Sequence, residues 1–229
     1  MCARFLTPAQ AAAEQYWHLV QPFPPYRQSW RVLPTHSVPV IMGIDGERTG
    51  ALMRWGLIPY SGPSKFPLIN ATVEQLERWY AWKGPWERRQ RCILSMAGFY
   101  EPHLYEGGRK EPFYVHLADR PCFGVAGLWD RYRDENGTVT TSCTLITIPP
   151  NAFMASIHNE KLRMPAVLRE EDHHVWLHGS AVEAKTVLRP YPDDLMVGWQ
   201  VSRRLYAIKT PDDASLIDAV DPPSPPTSR

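Results

Sequence analysis

No stretch of this sequence approaches the roughly 18 uncharged apolar residues that a membrane-spanning helix needs. No apolar run follows Arg4 either, so no signal peptide is read. An excess of either charge is also missing. The chain has 25 Lys and Arg against 24 Asp and Glu, a formal net charge of +1. That argues against a generally basic nucleic-acid binder and leaves room only for a local basic patch. Cysteine is scarce: Cys2, Cys92, Cys122 and Cys143 stand at no metal-ligand spacing. A reducing cytosol, the expected location, would keep them as thiols. Phosphate loops, zinc patterns and the Gly-x-Ser-x-Gly elbow are absent, as are internal repeats. No metal and no organic cofactor is expected.

Apolar content of 44% over 229 residues suits one globular core. "PAQAAAEQYWHL" at 8–19 reads as an amphipathic helix, with Thr7 at the N-cap and Pro8 in the first turn. The proline-rich stretch that follows reads as loop leading into a short strand, and "RTGALMRWGLIP" as a strand turning at Gly56 and Pro59. "NATVEQLERWYAWKG" has helical spacing and should stop at Gly84-Pro85. Four strands follow in "RCILSMAGFYE", "EPFYVHLA", "CFGVAGLWDRY" and "TTSCTLITI", separated by turn-forming pieces. Short helices are expected at "NAFMASIH", "REEDHHVWLHG" and 180–188, and short strands at "MPAVL" and "MVGWQVS". Strands clustered mid-chain with helices around them predict an α+β fold, a mostly antiparallel, barrel-like β core with peripheral helices. One domain is expected over 1–220, with 221–229 a Pro-rich disordered tail.

Candidate chemistry lies at the edges of apolar segments. Glu101 ends the run "SMAGFY" and is either a solvated turn residue or a carboxylate delivered by a strand end. Asn70 reads equally as an N-cap, and His158 as a structural histidine after "FMASI". "ERWYAWKGPWERRQRC" interleaves Trp79, Trp82 and Trp86 with arginines, which suits a single-stranded nucleic acid or a helix with its tryptophans packed inward. His173, His174 and His178 lack a carboxylate or cysteine at ligand spacing. Cys2 is either an accident of the terminus or a reagent. Cleavage of Met1 would leave an α-amine and a thiol on one carbon, the pair that closes a thiazolidine on an aldehyde.

The order of these pieces along the chain is more specific than any one of them. "MCARF" at 1–5, "INATVE" at 69–74, "AGFYE" at 97–101, "AGLW" at 126–129 and "IHNEKLRMPAVL" at 157–168 resemble the SOS-response-associated peptidase family of abasic-site processing proteins. "WGLIP" at 55–59 and "VSRRL" at 201–205 fit the same pattern. The resemblance implies that Cys2, as the mature amino terminus, crosslinks to the ring-opened aldehyde of an abasic site in single-stranded DNA. It implies Asn70, Glu101 and His158 as the other catalytic residues and release of the chain's own Met1; a monomer is expected. Arg4, Pro34, Thr147 and Arg163 would lie at or support the DNA face, with Thr72 at an arginine position of the family's Asn-Ala-Arg block.

The chain departs from the family pattern at Ala3, usually glycine, at Thr72, at Pro102, usually aromatic, and at Arg31, where asparagine is frequent. A tryptophan common after the "WGLIP" block is missing. The same residues leave two other readings. One is a cysteine-dependent amide hydrolase in which His158 is the base and Glu101 orients it. The other is a non-catalytic DNA-binding domain with an altered face.

Overall fold

The computed structural model describes residues 2–220, and the segment 221–229 lies outside the described residues. In chain order the first half forms β1 (Phe5–Leu6), α1 (Gln10–Trp17), β2 (Ser37–Ile44), β3 (Glu47–Trp55), β4 (Asn70–Thr72), α2 (Tyr80–Glu87), β5 (Arg91–Met96) and β6 (Gly98–Leu104). The second half forms β7 (Lys110–Leu117), β8 (Phe123–Arg133), β9 (Val139–Ile148), α3 (Ala152–Ile157), β10 (Met164–Pro165), β11 (Val167–Leu168), α4 (His173–His178), α5 (Ala181–Thr186) and β12 (Met196–Gln200).

Five strands close into a barrel in the order β9-β3-β2-β5-β8, with β8 pairing back onto β9. Closure pairs strands that would otherwise be sheet edges. β2 and β3 are joined by Asp45-Gly46, both at positive φ (50° and 83°), as a two-residue hairpin turn requires. The β3–β9 pair is parallel (Arg54↔Ser142, Trp55↔Cys143), and the other four barrel pairings are antiparallel. The expected α+β barrel is therefore the observed one, with a mixed sheet. β5 is buried along its whole length, because helices cover its outer side. Trp17 of α1 donates its indole N–H to Ser95 Oγ at 2.8 Å, and Trp176 of α4 donates to the Cys92 carbonyl at 2.8 Å. A strand buried on both faces reads as a near-continuous apolar run, and the two polar residues of "RCILSM" are buried on partners, Arg91 on the Gly179 and Ser180 carbonyls and Ser95 on the Trp17 indole. A second, antiparallel sheet, β1-β6-β7-β12, carries the amino terminus.

Four local expectations are corrected. α1 starts at Gln10 with Ala9 as its N-cap, so Thr7 is not a cap. Thr7 is taken by a tertiary partner: its N–H donates to the Ser29 carbonyl at 2.9 Å, and its hydroxyl accepts from the Ser29 N–H at 2.8 Å. The helix expected from Asn70 is instead strand β4, a short 3-10 turn over Val73–Gln75, and α2. α2 then runs through Gly84-Pro85 rather than stopping there. Pro85 forfeits one helical hydrogen bond, and burial of Trp82, Pro85 and Trp86 offsets the loss. "MPAVL" is two strands, because Met164 and Pro165 pair with β9 while Val167 and Leu168 pair with β8.

The tryptophans of the basic segment pack inward. Trp82 and Trp86 are buried, and Arg91 lies between the Trp86 and Trp176 rings at 5.8 and 5.7 Å. Cys92, Cys122 and Cys143 are buried as expected. Among the described residues no cluster of three or more His, Cys, Asp or Glu could hold a metal ion, and no helix is long and apolar enough to cross a membrane.

Candidate active site at the amino terminus

Cys2 is held by the strand that follows it. The Tyr100 N–H donates to the Arg4 carbonyl at 3.1 Å, and the Val32 N–H to the Phe5 carbonyl at 2.8 Å, so β1 lies between β6 and the chain around Val32. The Cys2 thiol is fully buried and donates to the Arg4 carbonyl at 3.3 Å. Burial pushes the thiol well above its usual pKa, and the nearby Glu101 carboxyl adds to the rise.

Asn70 reaches Cys2 from the barrel. Trp55, fully buried, donates its indole N–H to the Ile69 carbonyl at 3.1 Å, and the Leu145 N–H donates to the same carbonyl at 3.2 Å. These bonds lay β4 parallel to β9, with Asn70 opposite Leu145 and Thr72 opposite Thr147. The Asn70 side-chain amide then donates to the Cys2 carbonyl at 2.9 Å. Asn70 is thus a strand residue holding the amino terminus and caps no helix.

Glu101 comes from β6 and is 2% exposed, which removes the solvated-turn reading. Burial raises its pKa to about 8, so at neutral pH the carboxyl carries its proton. His158 ends α3 and is also buried. Its Nδ1 lies 2.9 Å from the Arg163 carbonyl, an acceptor, so Nδ1 bears the proton and Nε2 is the lone-pair nitrogen. Burial lowers the His158 pKa and keeps the ring neutral. The two side chains approach to 3.7 Å. Asn159 sets that approach: it accepts from the Leu104 N–H and donates to the Leu104 carbonyl, both at 2.9 Å, tying the loop after α3 to the end of β6.

The remaining candidates form a rim. Arg163 donates to the Thr147 carbonyl at 2.5 Å and makes a two-pronged pair with Glu74 at 2.8 and 3.1 Å. Thr147 Oγ1 donates to the Ala71 carbonyl at 3.3 Å, and Thr72 is half-buried beside it. Arg4 stacks over the Tyr206 ring at 4.8 Å. Pro34 lies half-buried in the turn before β2, and among the described residues no hydrogen bond or ion pair joins it to the other candidates.

Three participants were missed from sequence. Glu74 and Asn159 sit inside quoted blocks but carry no local signal of their partners. Tyr206 is brought in by Arg31, whose guanidinium donates to the carbonyls of Leu205, Ala207 and Thr210 at 3.0, 2.7 and 3.0 Å. The Arg31 departure from the family pattern therefore has a structural job: it clamps the segment that carries Tyr206.

The family profile described as "SOS response associated peptidase (SRAP)" matches residues 1–208. The chain belongs to the SRAP family. One SRAP relative is the abasic site processing protein YoaM of Bacillus subtilis (strain 168), 31% identical over 228 residues, covering 96% of this chain and 98% of that protein. Another is the abasic site processing protein HMCES of Xenopus tropicalis, 27% identical over 197 residues, which span 72% of this chain and 58% of that protein. A crystal structure of a Bacteroides thetaiotaomicron protein superposes with a TM-score of 0.81 at 24% identity, over 96% of this chain and all of the other. That last likeness bears on the fold alone.

Proposed function

We propose that this chain processes abasic sites in single-stranded DNA by forming a covalent thiazolidine through Cys2, once Cys2 has become the first residue. The observation that carries this reading is the Asn70 amide on the Cys2 carbonyl, because it fixes the backbone of the residue that must react, beside the Glu101–His158 contact. The free α-amine attacks C1 of the ring-opened sugar and gives a carbinolamine. A proton from Glu101 turns its hydroxyl into departing water and leaves an iminium ion, which returns its N–H proton to the Glu101 carboxylate and becomes the imine. The thiol sulfur then adds to the imine carbon, its proton passes to nitrogen, and a five-membered ring closes with net loss of one water. An α-amine with an ordinary pKa near 8 is partly unprotonated at neutral pH. A carboxyl kept protonated to about 8 is a competent acid there. His158, neutral with its lone pair on Nε2, is the type of group that can take the thiol proton.

Intact-mass spectrometry tests the reading. The purified protein should lack Met1 and, after incubation with a single strand carrying one abasic site, gain the mass of that strand less one water. Retained Met1, or no gain in mass, would remove the proposal. The Glu101–His158 contact also suits amide hydrolysis with Cys2 as nucleophile, but a thiol held protonated by burial works against a resting thiolate.

The rim gives a second expectation. In this reading Arg163 serves a DNA phosphate, and Glu74 occupies its guanidinium until the strand arrives. The pair is exposed on the Glu74 side, so releasing it is worth at most about 1 kcal/mol. Glu74→Gln should therefore tighten single-strand binding up to roughly fivefold, read by fluorescence anisotropy. Weaker binding in the variant would mean that Glu74 positions Arg163 rather than competing for it.

A further inference from the structure

A second cationic and aromatic depression, of about 490 Å³, opens on the barrel away from Cys2 and has no part in the chemistry above. Tyr60, Arg88, Asp130, Arg131, Tyr132 and Arg133 line it. Its one buried carboxylate, Asp130, holds the walls in place. Oδ2 accepts from the Tyr60 N–H at 2.9 Å, Oδ1 accepts from the Arg131 N–H at 2.9 Å, and Arg88 Nη2 stands 3.2 Å from both oxygens. The Asp130 charge is thus spent on inward donors. Arg131 and Arg133 are exposed; Arg131 lies over the Trp129 ring at 5.4 Å and Arg133 Nη1 donates to the Gly137 carbonyl at 2.7 Å, and no carboxylate among the described residues pairs with either. Asp134, next along the hairpin, commits Oδ1 to the turn amides of Asn136 and Thr138. Three arginines against Asp130 leave the lining a net +2 in a chain whose overall charge is only +1.

The aromatic rings point to the ligand. Tyr60 is 77% exposed, on a loop that folds over the edge of the Tyr132 ring near Gly62. An exposed ring beside unneutralised arginines matches the stacking-plus-phosphate chemistry of single-stranded nucleic acid. The position fits as well. Asn70 is opposite Leu145 on β9, whereas Asp130 is opposite Ser142 and Tyr132 opposite Thr140. At about 3.3 Å per residue the groove begins about 10–17 Å along β9 from Asn70. That lies within the roughly 4–16 nucleotides such platforms cover.

We propose that this groove is a second binding site for the flanking part of the same single strand, with Arg131 and Arg133 on phosphates and a base stacked against Tyr132 or Tyr60. The proposal rests on the reading of single-stranded DNA as substrate. It would give the chain a strand contact remote from the position where Thr72 replaces an arginine.

The test compares wild type, Arg131→Ala/Arg133→Ala, Arg131→Lys/Arg133→Lys and Tyr132→Ala. Binding of fluorescent, undamaged oligothymidylate is measured across a salt series, with covalent capture of an abasic oligonucleotide measured in parallel. The double alanine variant should lower the slope of log K against log salt by about 1.4, two phosphate contacts at about 0.7 each. The double lysine variant should keep the slope, and Tyr132→Ala should weaken binding roughly tenfold at unchanged slope. Capture of an oligonucleotide too short to reach the groove should be the same in all four. Equal affinity and slope in wild type and the alanine variant, or no wild-type binding of oligothymidylate, would overturn the proposal. Loss of capture in every protein with the slope change intact would leave the groove standing and bring down the covalent reading instead.

Discussion

Cys2→Ala is expected to abolish the stable DNA adduct and leave the fold standing. The variant keeps an α-amine, so it can still form an imine with the abasic aldehyde, but it has no sulfur to close the ring. An imine hydrolyses in water, and a thiazolidine does not do so readily. The variant should therefore give no adduct on a denaturing gel unless borohydride is added to reduce the imine. Wild type should give the adduct with or without reductant. The structural loss is small, because Cys2 contributes one buried sulfur and a weak bond to the Arg4 carbonyl, worth about 1 kcal/mol together. A denaturation-resistant adduct from Cys2→Ala without reductant would sink the thiazolidine.

Glu101→Gln should slow capture by about 10²–10⁴-fold, the range typical of a lost general acid, and should change its dependence on pH. Protonated to about 8 by burial, Glu101 supplies its proton below that pH and fails above it. Wild-type capture should then rise with pH as the amine deprotonates and fall through about 8. Because the two groups are neighbours, the limbs belong to the pair. Glutamine is neutral throughout, so only the rising limb should remain. Stability carries a second signature. A carboxyl whose native pKa lies above its unfolded value of about 4.5 binds its proton more tightly when folded. Its contribution is full below about 4.5 and is lost as pH rises through about 8. Urea denaturation across that window should show a flatter pH slope in Glu101→Gln. Wild-type capture and an unchanged profile in the variant would remove Glu101 from the chemistry.

Much of the barrel was legible because its strands are short runs rich in apolar and β-branched residues, bounded by turn-forming residues. "CFGVAGLWDRY" and "TTSCTLITI" became β8 and β9 close to where they were expected, whereas "RCILSMAGFYE", read as one strand, breaks at Ala97 into β5 of the barrel and β6 of the second sheet. What was not legible depends on partners distant in sequence. Asn70–Thr72 has helix-like neighbours, and only the parallel seat on β9, some 75 residues on, makes it a strand. Thr7 would cap α1 in isolation but is claimed by Ser29. Pro85 sits inside α2 because the tryptophans on either side of it are buried. The site was legible in a different way. Family order named Cys2, Asn70, Glu101 and His158, and local reasoning left a bland reading open for each. The fold removed the N-cap reading of Asn70 and the solvated reading of Glu101 by putting one on β4 and the other deep in β6.

The same long-range assembly sets a timetable during synthesis. Cys2 meets Asn70 only when β9 supports β4, and His158 reaches Glu101 only after the loop that ends at Arg163 has closed. A ribosome adding roughly 5–20 residues per second reaches Arg163 about 8–32 s after Cys2. Through that interval the amino terminus has no finished pocket to enter and stays open to a processing enzyme that meets nascent chains. If Met1 is removed as proposed, its trimming and the burial of the thiol run in competition, and slowing translation between β4 and β10 should favour the trimmed form.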